Sequence, residues 1–166
     1  MTHKKLKEIL HMNDIHDDVC FSSDFERKCI VFLDVDGVLN NASTRDITPS
    51  GSVGIDDENL RQLKLLIDKT KADIVLTSDW RFDPEAVEYL NEKLSEYGLT
   101  VFDKTPVSGD YEHRGKEIDE WVRQHPGVCS FAVIDDLCFP DFEKYGLSNR
   151  LVKTDDKYGL RIEDVE

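Results

Sequence analysis

The sequence predicts a three-layer α/β domain, with a parallel sheet between two layers of helices. Three observations carry this. Apolar runs without polar alternation, suited to strands buried on both faces, recur at Cys29-Ile30-Val31-Phe32-Leu33, Ile74-Val75-Leu76 and Ser130-Phe131-Ala132-Val133-Ile134. Segments with apolar residues at helical spacing separate them. Each run also ends in acids or hydroxyls, and open α/β sheets bind ligands just beyond the carboxyl ends of their strands, where strand order reverses.

At 166 residues the chain reads as one domain over residues 28–166, preceded by an extension over residues 1–27. A domain of that size buries roughly 70% of its unfolded surface and needs no staples. Acidic residues outnumber basic ones by 35 to 21, a net charge of −14, so there is no basic stripe and a long nucleic-acid track is disfavoured. Cys20, Cys29, Cys129 and Cys138 have no CxxC or Cys/His zinc spacing and read as reduced thiols. No apolar run approaches the roughly 20 residues of a membrane span, and the start MTHKKLKEIL is too charged for a signal peptide. These features predict a cytoplasmic protein.

In chain order, Leu6, Ile9, Leu10 and Met12 hint at a short amphipathic helix in the extension, where His11 and His16 read as solvated. The first strand delivers Asp34 and Asp36, one residue apart, followed by Gly37. Such a pair can converge on one site from separate environments. Residues 41–54 are polar and without periodicity, a loop too short to form a further domain. Asp56 then caps a crossover helix with Leu60, Leu63 and Ile67 on one face and Ile55 placed to staple onto Leu60. The second strand ends in Thr77 and Ser78. After Asp79-Trp80-Arg81, Asp83 and Pro84 open a helix with Val87, Leu90 and Leu94 inward, which Gly98 ends. Residues 99–102 are a third strand. A helix over residues 114–124 presents Ile118, Trp121 and Val122, the fourth strand ends in Asp135 and Asp136, and residues 150–154 are a fifth strand.

DVDGV resembles the first motif of the haloacid dehalogenase (HAD) superfamily, whose phosphatases carry D-x-D-G-T/V after the first strand. A solvated Asp-x-Asp-Gly turn would look the same in isolation; the further parts, in the family's order, decide. The Thr77/Ser78 pair matches the second-motif hydroxyl, and the choice between them stays open. The acids after the fourth strand match the fourth motif. The stretch through Trp80 and Arg81 is similar to the SxWR signature of HAD domains grouped with RNA-repair proteins. The third-motif cation is Arg114, Lys116 or Lys104; the RGxEI pattern favours Arg114, a departure from the usual lysine. The resemblance covers about residues 28–160 and implies a HAD-like Rossmannoid fold, its five parallel strands in spatial order 5-4-1-2-3, without a cap domain.

Asp34, Asp36, Asp135 and Asp136 would meet at the switch point. Two like charges about 4 Å apart cost on the order of 4 kcal/mol at an effective dielectric near 20, so the site requires protonation or a cation. An oxygen donor set favours Mg²⁺. The resemblance implies a phosphomonoester hydrolase with Asp34 as nucleophile, Asp36 as acid and base, and the hydroxyl and third-motif cation on the phosphoryl group. Trp80 and Arg81 would face the substrate, one as a stacking plane and one as an anion fork, the alternative being that Trp80 packs in the core and Arg81 caps a surface. An open site predicts broad, weakly selective action on phosphorylated small molecules or terminal phosphates of larger substrates. A nucleic-acid end-processing phosphatase and a catalytically silent HAD-like binding or regulatory domain are the alternatives.

Overall fold

The computed structural model describes Leu10, residues 28–107 and residues 113–166. Five parallel strands, β1 (Lys28–Leu33), β2 (Asp73–Leu76), β3 (Val101–Lys104), β4 (Val128–Asp135) and β5 (Leu151–Lys153), pair in the order β3-β2-β1-β4-β5. This is the expected order read from the other edge. β1 is central, with Val31 beside Ile74 of β2 on one side and Ala132 of β4 on the other.

Strand alternation divides the core in two. Val31 and Leu33 pack with Leu60, Leu63 and Leu66 of α1 (Asp57–Thr70) and with Leu90 and Leu94 of α2 (Pro84–Glu96). Ile30 and Phe32 point to the opposite face, against Ile118 and Trp121 of α3 (Arg114–Gln124), Phe142 and Leu147. Hence the apolar run of β1 has no polar alternation: both of its faces are interior. Phe32 meets the Trp121 ring edge-on at 5.3 Å.

The caps follow the sequence signals. Asp56 accepts from the Glu58 and Asn59 amides at the start of α1, and Asp83 accepts from Glu85 ahead of Pro84 at the start of α2. Residues 79–82 form a 3₁₀ turn rather than a simple bend. The third strand begins two residues later than its apolar residues suggest. Gly98, at φ +66°, and Leu99 donate back to Ser95 and Leu94, so Leu99 closes α2 and is not free to pair. A short α4 (Ile162–Val165), which periodicity does not reveal, buries Val165.

The spans between β1 and α1 and between β2 and β3 hold no cap domain. Residues 41–54 fold back through an Ile47–Val53 bridge, and the Tyr89 hydroxyl ties this loop to α2 by donating to Asp46 and accepting from the Ile55 amide. Leu10 is helical and buried in the core, with its carbonyl accepting from the Ser130 hydroxyl at 2.7 Å. The rest of the proposed amphipathic helix, His11, His16 and Cys20 lie outside the described residues. Cys29, Cys129 and Cys138 are not disulfide-bonded. Among the described residues no helix is long and apolar enough to cross a membrane.

Candidate active site

The carboxyl edge of the sheet is built from the ends of β1, β2 and β4. β1 hands its ladder on: the Asp34 amide donates to the Ile134 carbonyl at 3.0 Å, and the Thr77 amide to Leu33 at 2.9 Å. This continued pairing fixes where Asp34 leaves the sheet. The turn beyond it buries Val35 and Val38 and turns Asp36 to solvent. Gly37 sits at φ +69°, and a Cβ there would lie 2.6 Å from the Asp136 carboxyl carbon. Both constraints require glycine. Thr154, just past β5, anchors this turn by donating its hydroxyl to the Gly37 carbonyl at 2.8 Å.

Asp34, Asp135 and Asp136 each bring a carboxylate oxygen within 4.8 Å of the others. Arg114 enters from the start of α3: its Nη1 lies 2.7 Å from Asp34 and 2.9 Å from Asp135, and its Nη2 lies 3.4 Å from Asp79. Of the three cations the sequence leaves open, Arg114 is the one brought to the acids. Lys104 is exposed and lines a surface cleft along α2, and Lys116 is exposed on α3.

One guanidinium cannot neutralise three carboxyls. Burial, opposed by Arg114, raises Asp34 above the usual carboxylate range. Burial and then the charge of Asp34 push Asp135 up to about 7. Asp136 is raised by the same two causes. Burial works against the charge on Arg114, yet its two carboxylate partners outweigh it and hold the guanidinium protonated.

The two hydroxyls differ. Ser78 donates to the Asp34 carboxylate, whereas the Thr77 hydroxyl is buried with no partner among the described residues. Asp36 stands apart from the three clustered acids. Its Oδ1 accepts from Asn40 Nδ2 at 2.8 Å and its Oδ2 from Trp80 Nε1 at 3.0 Å. Trp80 is half-buried against the core, 6.1 Å from the Tyr89 ring. Arg81 is turned inward, its side chain 4% exposed. It donates to the Thr77 and Ser78 carbonyls and pairs with Glu117 at 2.6 Å.

A family model described as the HAD domain in Swiss Army Knife RNA repair proteins matches residues 30–165. The chain belongs to this family. No curated protein and no solved structure matches it.

In this HAD domain the SxWR and RGxEI stretches interlock. Ser78 meets Asp34, Trp80 meets Asp36, and Arg81 meets Glu117 of RGxEI. Arg114 heads that same helix. Asp141 accepts from the Gly115 and Lys116 amides, and a Cβ on Gly115 would lie 2.7 Å from the Asp141 carboxylate. Glycine thus lets Asp141 cap the helix that carries Arg114.

Sequence reasoning missed Asn40, Asp79, Glu117 and Asp141. Asn40 and Asp79 had a signal, since both lie within motif-bearing turns. Glu117 had one as the acid of the RGxEI pattern, though only the fold shows its partner to be Arg81; Asp141 had none, because only the fold brings it to the head of α3.

Proposed function

We propose that the protein is a Mg²⁺-dependent phosphomonoester hydrolase working through an aspartyl-phosphate on Asp34. The observation that carries this reading is the placing of Asp34: a carboxylate at the end of the central strand, touched by Arg114 and Ser78, with Asp36 held two residues on. Its membership of a HAD family supports hydrolytic chemistry on phosphate.

Asp34, Asp135 and Asp136 would hold the ion. The donor set fits: three carboxylates, oxygen only, raised by burial and mutual repulsion that a divalent cation relieves. When bound, Mg²⁺ supplies positive charge to the phosphoryl oxygens and to the crowded acids.

A carboxylate oxygen of Asp34 attacks phosphorus, and the bond from phosphorus to the ester oxygen breaks. Asp36 gives its proton to that oxygen, which leaves as the alcohol. Arg114 and Ser78 lie against the carboxylate that receives the phosphoryl group, where their donors offset its charge. Water then attacks phosphorus, Asp36 takes its proton, and inorganic phosphate departs with Asp34 restored. Asp36 suits both proton transfers because it is exposed to solvent. Arg81, committed to Glu117, supports the 3₁₀ turn and does not serve as an anion fork.

With no cap domain among the described residues, the substrate class is an accessible terminal phosphate on a small or large molecule. The family description favours a second, narrower reading, a phosphate at the end of an RNA strand. The net charge of −14 limits contact to the strand's end. Phosphate release is measured from an aryl phosphate, a mononucleotide and 5′- and 3′-phosphorylated oligoribonucleotides, with Mg²⁺ and with chelator. Mg²⁺-dependent release that Asp34→Asn abolishes is expected. No release from any of them overturns the reading, and a strong preference for the oligonucleotides selects the narrower one.

A further inference from the structure

We infer that Trp80 is a positioning residue for Asp36, setting how well that carboxyl protonates the departing oxygen; this rests on the phosphatase reading above. Among Asp34, Asp36, Asp135 and Asp136, Asp36 is the one exposed to water, and an exposed carboxyl is ordinarily free to rotate. Here each of its oxygens is held by a different N–H. Asn40 belongs to the same turn as Asp36, its own Oδ1 accepting from the Gly37 amide at 2.9 Å, so it moves with that turn. Trp80 belongs to another element, the 3₁₀ turn (Asp79–Phe82) after β2. Its indole therefore ties the Asp36 carboxyl to the body of the domain.

The donor is itself immobilised. The ring packs on the core beside Tyr89, and its backbone amide donates to the Ser78 hydroxyl. The next residue, Arg81, is locked by the buried pair with Glu117 and by the Thr77 and Ser78 carbonyls. Fixing a proton donor matters because transfer requires a separation of about 2.6–3.2 Å, and a displacement of about 1 Å costs on the order of a hundredfold in rate. A strongly basic leaving oxygen needs that proton as its bond breaks. A weakly basic one departs without it. Loss of the indole N–H should thus be felt in proportion to leaving-group basicity, a dependence that general loosening of the fold would not produce.

Trp80→Phe keeps an aromatic ring on the core and removes the N–H. Its kcat/KM, which reports steps up to bond cleavage, is compared with that of the parent protein on glycerol phosphate and on 2,4-dinitrophenyl phosphate in Mg²⁺. Asp36→Asn and the double variant complete the cycle. The expected result is a fall of about tenfold to a hundredfold on the alkyl ester, with at most about a threefold fall on the dinitrophenyl ester. In the Asp36→Asn background, Trp80→Phe should add no leaving-group-selective loss. An equal loss on both esters, or a selective loss that persists in that background, overturns the role of Trp80 and leaves the phosphatase reading intact. No turnover of either ester by the parent protein, nor of the nucleotide and oligonucleotide phosphates above, overturns both. The contact is also read without altering Trp80: of the two indole N–H resonances in labelled protein, one should shift in Asp36→Ala. If neither shifts, the proposal falls.

Discussion

Arg114 and Asp34 meet at 2.7 Å although 80 positions separate them in the chain, and the same guanidinium nitrogen also reaches Asp135. The pair is buried at the end of the central strand, its positive partner shared by acids that burial has already made reluctant to ionise. An arginine suits this better than a lysine because its planar fork spans more than one acceptor, including Asp79.

Arg114→Ala should therefore destabilise the protein by about 3–5 kcal/mol, since buried carboxyls would lose their cation. Arg114→Lys should recover part of that stability while kcat falls by about tenfold to a hundredfold, as one ammonium cannot reproduce the fork. Urea melts and steady-state rates check both. A lysine variant as stable and as active as the parent protein would show the fork to be unnecessary.

The raised Asp135 sets a pH dependence. Its folded-state value of about 7 lies above that of an unfolded aspartate, so between about pH 4 and 7 the folded protein binds the extra proton. The resulting stability is full below that window and is lost as pH rises through about 7. Metal-free protein should melt at falling temperature over this range, and added Mg²⁺ should raise the melting temperature more at pH 8 than at pH 5. Asp135→Asn should flatten both trends. Scanning fluorimetry in chelator and in Mg²⁺ tests this, and a melting temperature indifferent to metal at every pH would remove the metal site.

Glu117→Ala should cost about 3–5 kcal/mol, because it strands the Arg81 guanidinium in a buried position. Activity at low temperature should fall as well, since Arg81 steadies the turn that carries Ser78 and Trp80. Denaturant midpoints measure the first effect. A surface-like loss of under about 0.5 kcal/mol would contradict the burial.

Asp46 gives a second, acid-side dependence. Hydrogen bonds from Tyr89 and Lys93 hold its carboxyl below the usual range, so its contribution is present above about pH 4 and is lost as pH falls through the lowered folded value. Tyr89→Phe should weaken this acid-side loss and increase protease cleavage in residues 41–54, with the sheet unchanged. Limited proteolysis across pH provides the measurement.

The sheet was legible because β1 carries no polar alternation, and Asp34, Asp135 and Ser78 were legible as the polar ends of apolar strands. Arg114 could be narrowed to three cations, but the choice needed the direction in which α3 enters the site. By motif Arg81 suits an anion fork or a surface cap, yet it lies against Glu117, because pairing between a turn and the far helix leaves no periodic trace. Leu99 suits a strand by its apolar neighbours but closes α2, since the hydrogen bonds of a helix end claim its amide first.

Asp34 and Asp135 sit at the ends of the two strands that pair at the centre of the sheet, from Cys29 beside Ser130 through Leu33 beside Ile134. Amides there should exchange with solvent only when the whole domain opens, whereas residues 41–54, tied to the domain by contacts such as Tyr89 with Asp46 and Asn41 with Asn59, should exchange by local opening. The carboxylate end of the site thus shares the domain's slowest clock and the loop beside it a much faster one. Substitutions in the loop should then change its opening without loosening the carboxylates.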